Sequence, residues 1–239
     1  MHSLPQIVSG FEDKAVEKVS TLFRLLTEDI VTLAPLEAEL TKLFTNSYRY
    51  IQFAIANQFY MIAGDYGVDF HKIYGAMTHK YPRLVDFPKP GFASGPCLFK
   101  DTMQLSAFTN NKFFLGHGAM LINEGLPNFL VEQVKKKIGL ENKVAGILGM
   151  AFKANSDDKR ESLSYKLRKV LEMEARSVLC SDFFIGDPGF IGEEELIEKS
   201  DVIFIGAPHT KYRGLDFRGK PVVDVWDFLP YPTLLRGEE

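Results

Sequence analysis

The residues best suited to chemistry lie around a single cysteine, Cys97, at the end of a loop of small residues. Gly91 and Gly95 allow this loop to bend tightly and its backbone to approach a ligand. At the start of a helix, the amide dipoles and a nearby cation such as Lys100 favour the thiolate form of a cysteine. Asp101 lies one helical turn beyond Cys97, on or near the same face. The arrangement is typical of a nucleophilic cysteine assisted by a cation and a carboxylate, although most lone cysteines are small buried hydrophobic residues.

Two further pairs of polar residues have spacings that would suit a binding site. Lys42 and Asn46 lie one turn apart on a predicted helix and share a face, although a lysine on a helix is usually just solvated. Lys153 and Arg160 belong to a charged loop that follows a predicted buried strand. Because ligands of a parallel sheet bind at the carboxyl ends of its strands, both are candidates for contacting phosphate. The simpler interpretation is a loop that faces solvent.

The composition is that of an ordinary globular protein and excludes several function classes. The 239 residues, 46% hydrophobic and 25% charged, can bury a core that we expect to be divided into two lobes. A formal net charge of −3 argues against nucleic-acid binding. Cys97 and Cys180 form neither a disulfide framework nor a metal site, which suits a reducing compartment. With no signal peptide and no apolar run long enough to span a bilayer, we expect a cytoplasmic protein without membrane partners.

The first part of the chain combines a short α/β segment with one long helix. A strand at residues 4–10, a helix at 12–26 and a strand at 30–33 resemble the end of an α/β domain whose beginning is absent. The longest helical pattern covers residues 36–64 without an internal proline, a length of roughly 43 Å. Such a helix either bridges two domains and carries a dimer interface or lies buried in a core.

The remaining pattern predicts helices followed by a parallel sheet. Helices are predicted at residues 69–77, 100–108 and 115–137, with a break in the last one near Asn123–Pro127, and an extended proline-rich loop precedes the cysteine. Strands at 143–150, 177–180, 202–205 and 221–225 alternate with helices at 162–174 and 193–199, which indicates a right-handed parallel sheet. Gly146 and Gly149 do not complete a dinucleotide-binding fingerprint.

Three segments of the chain together resemble the UDP-glucose/GDP-mannose dehydrogenase family, the nucleotide-sugar dehydrogenases. They are residues 39–46 (ELTKLFTN), 91–101 (GFASGPCLFKD) and 149–162, which begins GMAFK and ends RES. Each segment is moderately specific alone, and their order and spacing make the match strongly specific. The resemblance extends from residue 5 to about residue 228.

The resemblance implies an α/β protein with three regions. Residues 1–34 would be the tail of an N-terminal NAD-binding Rossmann domain that is mostly missing. Residues 35–139 would form a central helical region for catalysis and dimerisation, with a homodimer built on the long helix. Residues 140–239 would form a C-terminal Rossmann-like domain that binds the nucleotide sugar.

The resemblance also implies a two-step reaction centred on Cys97. The primary alcohol of a UDP-sugar, of the UDP-glucose type, would be oxidised to a carboxylate through a thiohemiacetal and a thioester, with two NAD reduced. Lys42 and Asn46 would stabilise the oxyanions and hold a water, and Asp101 would assist proton transfer or position that water.

Other residues are assigned binding roles by the same resemblance. The substrate would be contacted by Arg83 (in the family, from the partner subunit), by the loop residues Phe87, Lys89, Gly91 and Phe92, and by Lys153. NAD would be contacted by Lys100 and Arg160. No metal is expected.

The chain departs from the family in ways that leave alternatives open. The NAD-binding fingerprint is absent, so we expect a fragment of a longer product or a chain that needs a partner, inactive when isolated. The run 93–96 is less glycine-rich than in many members, and Trp226 replaces an arginine found in some, which leaves the sugar open. A non-catalytic module for nucleotide-sugar binding or dimerisation remains the main alternative, ahead of an unrelated α/β protein with a structural cysteine.

Overall fold

The computed structural model describes residues 4–236 and divides into two compact units, Met1–Tyr48 and Arg49–Glu239. The first unit is a small β-α-β segment followed by the start of a long helix. Strand β1 (Gln6–Ser9) pairs in parallel with β2 (Ile30–Leu33), and helix α1 (Asp13–Phe23) connects them. The α/β character predicted for this end of the chain is confirmed, although α1 is shorter than the predicted range of 12–26.

Helix α2 runs without interruption from Pro35 to Asp65. Its N-terminus is stabilised by Glu37, whose carboxylate accepts a hydrogen bond from the backbone N–H of Ala34 at 2.9 Å. The helix is continuous because its interior has neither proline nor glycine before Gly64, as the sequence pattern predicted.

Three further helices belong to the second unit: α3 (Phe70–Thr78), α4 (Leu98–Phe108) and α5 (Phe114–Ile138). Asp69 caps α3 by accepting a hydrogen bond from the backbone N–H of His71 at 2.8 Å. A 3₁₀ turn at Pro82–Leu84 lies in the proline-rich loop that leads to α4.

The break predicted near Asn123–Pro127 is wrong, since Pro127 lies inside a continuous α5. A proline in a helix interior costs about 3 kcal/mol because it removes one backbone hydrogen bond and crowds the preceding turn. The turns that follow bury several large apolar side chains, each stabilising by about 1.5–3 kcal/mol; these are Phe129, Leu130, Val131 and Val134. The stabilisation from burying these side chains in the core therefore exceeds the local cost of the proline.

A four-stranded parallel sheet forms the rest of the second unit. Its strands are β3 (Val144–Leu148), β4 (Ser177–Ser181), β5 (Val202–Ile205) and β6 (Val222–Val223), in the order β4-β3-β5-β6. Helices α6 (Leu163–Glu174) and α7 (Glu193–Lys199) are the crossovers. The predicted parallel sheet is confirmed, and β3 and β5 are buried along their whole length. All four strands therefore end at one edge, where their following loops meet.

Within residues 4–236, no helix has the combination of length and apolar character that crossing a bilayer requires. The same described residues contain no cluster of His, Cys, Asp and Glu side chains that could hold a metal ion.

Candidate active site

Cys97 occupies the N-cap position of α4 and is exposed to solvent. Its carbonyl accepts the first hydrogen bond of the helix, from the N–H of Asp101 at 2.9 Å. Asp101 is fully buried one turn below the cysteine, and its carboxylate lies 3.0 Å from the ammonium of the largely exposed Lys100. The first turn of α4 thus pairs the predicted cation with the predicted carboxylate, and the predicted thiol lies at the N-cap of the same helix.

The second cysteine provides a contrast within the same chain. Cys180 is buried in β4, and burial raises the pKa of its thiol to about 11. Cys180 is therefore a small buried hydrophobic residue, whereas Cys97 is accessible to a substrate.

A buried amide network fixes the loop that leads to Cys97. The side chain of Asn57 on α2 forms two hydrogen bonds with Gly91: its oxygen accepts from the Gly91 N–H (2.8 Å) and its nitrogen donates to the Gly91 carbonyl (3.0 Å). The same nitrogen donates to Asn123 on α5 at 2.9 Å, and Asn123 donates to the carbonyl of Tyr50 at 3.0 Å. Since Asn57 and Asn123 are fully buried, the loop is anchored to two helices at once.

The loop is also packed closely against residues of the sheet domain. A Cβ atom at Gly91, where φ is +155°, would lie 2.1 Å from the ring of Trp226. A Cβ atom at Gly95, where φ is +101°, would lie 2.6 Å from the ring of Phe152. The Ser94 hydroxyl donates to the carbonyl of Phe152 at 3.2 Å. Both glycines are therefore required by contact as well as by backbone conformation.

The charged loop after β3 lies at the carboxyl edge of the sheet and carries two exposed cations. The ammonium of Lys153 lies 5.4 Å from the centre of the Phe152 ring. Arg160 forms a bidentate pair with Asp158, with its Nε 3.0 Å from Oδ1 and its Nη2 2.7 Å from Oδ2. This pairing lowers the pKa of Asp158 to about 2 and raises the pKa of Arg160.

The proline-rich loop carries three of the other predicted substrate residues. The Phe87 ring stacks on Tyr74 at 5.9 Å, and the Phe87 carbonyl accepts a hydrogen bond from the Tyr74 hydroxyl at 2.8 Å. Lys89 pairs with Asp227 at 2.9 Å, and Arg83 is exposed in the 3₁₀ turn. The last predicted substrate residue of the cysteine loop, Phe92, packs edge-on against Trp226 with ring centres 6.0 Å apart.

Lys42 and Asn46 lie on the part of α2 that belongs to the first unit. They are one helical turn apart, as predicted, with Lys42 exposed and Asn46 partly buried, and both interact with other groups of the protein. Their roles stay predictions.

Comparison with known proteins shows the family of the chain. Residues 36–124 match the family model for the UDP-glucose/GDP-mannose dehydrogenase family, central domain. Residues 146–230 match the model for the UDP binding domain of the same family. The chain belongs to the UDP-glucose/GDP-mannose dehydrogenase family. The domain boundaries predicted at residues 34/35 and 139/140 stay predictions.

Several relatives of this dehydrogenase family are similar to the chain over most of its length. A UDP-N-acetyl-D-mannosamine dehydrogenase from Methanocaldococcus jannaschii is 30% identical over 217 residues, 88% of this chain and 50% of the relative. The corresponding enzyme from Pyrococcus horikoshii is 28% identical over 244 residues, 96% of this chain and 57% of the relative. The chain spans about half the length of the curated relatives it matches.

Solved structures of the dehydrogenase family share the fold. The structure of the P. horikoshii UDP-D-ManNAc dehydrogenase is matched with a TM-score of 0.82 at 27% identity, over 95% of this chain and 57% of that one. A UDP-glucose dehydrogenase from Pyrobaculum islandicum gives a TM-score of 0.81 at 21% identity, over 97% of this chain and 58% of that one, which shows the fold alone.

The family is one of NAD-dependent dehydrogenases, and the residues described here fit only part of an NAD site. Lys100 and Arg160 are exposed cations suited to a diphosphate, each paired with a carboxylate. The fingerprint G-x-G-x-x-G, which would cradle a dinucleotide, does not occur in the 239 residues.

Proposed function

We propose that this chain supplies the nucleophile and the nucleotide-sugar site of an NAD-dependent nucleotide-sugar 6-dehydrogenase. The observation that carries the proposal is the exposed thiol of Cys97 at the N-terminus of α4, with Lys100 and Asp101 in the first turn of the same helix. A rigid loop anchored by Asn57 leads directly to it.

NAD would supply the acceptor for the two hydrides, and Lys100 and Arg160 are the residues of this chain proposed to hold its phosphates. The thiolate of Cys97 would add to the C6 aldehyde carbon of the sugar, forming a C–S bond and an oxyanion that takes up a proton. Once the carbon is at the oxidation level of a thioester, water would attack the carbonyl, the C–S bond would break, and the carboxylate would leave as the thiolate is regenerated.

Three other residues would assist these steps. Lys42 and Asn46 are proposed to stabilise the oxyanion and to orient the water. The buried carboxylate of Asp101, one turn below the thiol, would assist proton transfer or position that water.

The proposed substrate is a UDP-sugar, held by Lys153 and Arg83 and by the loop that contains Phe87, Lys89, Gly91 and Phe92. Uracil is favoured over guanine because the similar proteins from M. jannaschii and P. horikoshii are named as UDP-sugar dehydrogenases. Among the sugars, the names of the similar proteins support an N-acetylhexosamine such as N-acetyl-D-mannosamine over the glucose predicted from the sequence. The product, a sugar acid nucleotide made in the cytoplasm, would serve polysaccharide biosynthesis.

We test this proposal with the purified protein and its Cys97→Ser variant. The wild type is expected to bind UDP and UDP-N-acetyl-D-mannosamine in calorimetry and to bind GDP more weakly. Because the chain is expected to be inactive when isolated, reduction of NAD with formation of the sugar acid is measured in the longer product, or with the partner, that supplies the NAD-binding fingerprint. Cys97→Ser should lower acid formation by a factor of about 10³ or more while changing the Kd for the UDP-sugar by less than about twofold.

Each other outcome points to a definite alternative. Binding of UDP-sugars without oxidation by the wild type, even when the NAD-binding part is supplied, would favour the non-catalytic module. Unchanged acid formation by Cys97→Ser would exclude Cys97 as the nucleophile. Absence of nucleotide binding would refute the proposal as a whole.

A further inference from the structure

A buried histidine and aspartate tie together three of the four loops at the carboxyl edge of the sheet, those after β3, β4 and β5. Asp182 directly follows β4, and His209 lies in the loop after β5. Their side chains are fully buried, with Nε2 of His209 3.1 Å from Oδ2 of Asp182. Neither residue belongs to the proposed catalytic group, so their burial at the ligand edge calls for a physical reason.

Asp182 is surrounded by hydrogen-bond donors from two loops. Its Oδ2 accepts from the backbone N–H groups of Met150 (2.6 Å) and Ala151 (3.0 Å), just after β3. Its Oδ1 accepts from the N–H groups of Phe184 (2.7 Å) and Ile185 (3.1 Å). Burial raises the pKa of the Asp182 carboxyl, but the hydrogen bonds from His209 and from the backbone N–H groups together outweigh this effect, so the net pKa is lowered. Asp182 is therefore an ionised acceptor, and it requires His209 to present an N–H.

The other nitrogen of the ring holds the far end of the loop after β3. Nδ1 of His209 accepts a hydrogen bond from the backbone N–H of Asn155 at 2.8 Å. Asn155 has a positive φ of +53°, and its side-chain oxygen accepts from the N–H (3.0 Å) and the hydroxyl (2.7 Å) of Thr210. With a donor facing Nδ1 and a carboxylate facing Nε2, the ring is fixed as the neutral Nε2–H tautomer.

Lys153 lies between the two anchored points. Ala151 is tied to Asp182, and Asn155 is tied to His209, so the backbone of the exposed lysine is held from both sides. The ring of His209 is itself packed between Phe184 and Tyr212, with ring centres 4.9 Å and 5.2 Å away. We propose that His209 and Asp182 are positioning residues that set the affinity for the nucleotide diphosphate by holding the Lys153 loop. The inference rests on the proposed function of Lys153 as a contact to the nucleotide.

Two variants of His209 separate the two bonds of the ring. Glutamine places an amide nitrogen near the position of Nε2, so His209→Gln keeps a donor for Asp182 and loses the acceptor for Asn155. Asparagine places an oxygen near the position of Nδ1, so His209→Asn keeps the acceptor and loses the donor.

The two variants are expected to behave in opposite ways. His209→Gln should raise the Kd for UDP about tenfold with a melting temperature within about 2 °C of the wild type. His209→Asn should lower the melting temperature because the buried carboxylate of Asp182 loses a partner. It should nevertheless keep most of the UDP affinity of the wild type, because the acceptor for Asn155 is retained. The Kd for uridine, which carries no phosphate, should change by less than about twofold in both variants.

A double-mutant cycle with Lys153→Ala distinguishes positioning from a structural effect. If His209 acts through Lys153, then adding His209→Gln to Lys153→Ala should change the Kd for UDP by less than about twofold. In the wild type, long-range ¹⁵N–¹H NMR should show a protonated Nε2 and an unprotonated Nδ1 in the His209 ring.

The contrary outcomes are distinct. An unchanged UDP affinity in His209→Gln would overturn the inference while the proposed function stands, provided that Lys153→Ala alone weakens UDP binding. An equal loss of UDP and uridine, persistence of the loss in the Lys153→Ala background, or the opposite tautomer would also overturn it. If the wild type does not bind UDP, the proposed function fails and the inference fails with it.

Discussion

The environments of the two cysteines differ enough to predict their reactivity. Cys97 is exposed at a helix N-terminus, whereas Cys180 is buried in β4 with its thiol pKa raised to about 11 by burial. Because the thiolate is the reacting species, iodoacetamide at neutral pH should alkylate Cys97 faster than Cys180 by a factor of about 100 or more. Peptide mass spectrometry of samples quenched over time gives both rates in one experiment.

A nucleotide sugar should protect the reactive thiol. UDP-N-acetyl-D-mannosamine bound beside Cys97 would slow its alkylation, and the remaining modification in Cys97→Ser should be that of Cys180 alone. Equal rates at the two cysteines would contradict the assignment of Cys97 as the accessible thiol.

At the scale of single residues, the sequence predicts the reactive group but not its support. The small residues before Cys97 and the charges after it are neighbours in the chain, so their proximity follows from local spacing. Asn57, Asn123 and His209 were missed as site residues because their bonds join positions 27 to 73 residues apart. The one local signal of the amide network was Asn57, a polar residue within the apolar helical run of residues 51–63. A buried asparagine is expected to have hydrogen-bond partners.

Among the elements, α5 shows where local rules fail. The sequence around Asn123–Pro127 contains a glycine and a proline, which predict a break, yet the helix continues to Ile138. The deciding interactions are the tertiary contacts of the following turns with the core. In contrast, the strands β3 and β5 were predicted well because they are short, apolar and bounded by polar loops.

Helix α2 presents exposed apolar side chains at helical spacing, which supports the proposal of a dimer built on this helix. They are Phe44, Tyr48, Ile55, Phe59 and Ile62. An exposed apolar stripe of this kind is typical of a surface covered by another chain. We predict that the double variant Ile55→Lys/Ile62→Lys weakens a homodimer by a factor of about 100 or more, because two charges would be buried per copy.

Light scattering coupled to size-exclusion chromatography measures this effect directly. Glu194→Lys on α7, an exposed acidic residue changed to the same side chain, is the matched control and should leave the mass unchanged. A double variant that keeps the mass of a dimer, or a wild type that is a monomer over the accessible concentrations, would exclude the interface.

For the whole molecule, the order of strands and helices in the sequence predicted the parallel sheet. It therefore also predicted the edge of the sheet at which the ligand loops meet. The register of β3 with its neighbours β4 and β5 brings the ends of these strands together, with Leu148 opposite Ser181 and Ile205. Sequence periodicity cannot supply the second requirement, that the loops be held in one conformation, because this depends on buried polar contacts between loops. The sequence therefore predicts where the site lies in the fold, but not the conformation in which its loops are held.

The stability of the folded molecule should depend on pH through His71, a buried histidine outside the proposed site. Its side chain is 9% exposed, and Nδ1 has no hydrogen-bond partner among the residues described, since Asp227 lies 4.0 Å away. Burial lowers the pKa of His71 to about 4, opposed by Asp69 and reinforced by Arg236 and Lys89. The ordinary pKa of a histidine is near 6.5. At pH values between about 6.5 and about 4, His71 therefore binds a proton in the unfolded chain but not in the folded chain.

The folded state is therefore destabilised as the pH falls through this range, by up to about 3 kcal/mol for this group alone. The raised pKa of the buried Asp224 acts in the opposite direction, so the contribution of His71 must be isolated by mutation.

We predict that His71→Phe, which keeps a ring but cannot titrate, loses less stability between pH 7 and pH 4.5 than the wild type does. Urea denaturation at the two pH values measures the difference. His79→Gln, a change at an exposed histidine, should behave like the wild type. An identical pH dependence in His71→Phe and the wild type would mean that His71 is not held neutral in the folded protein.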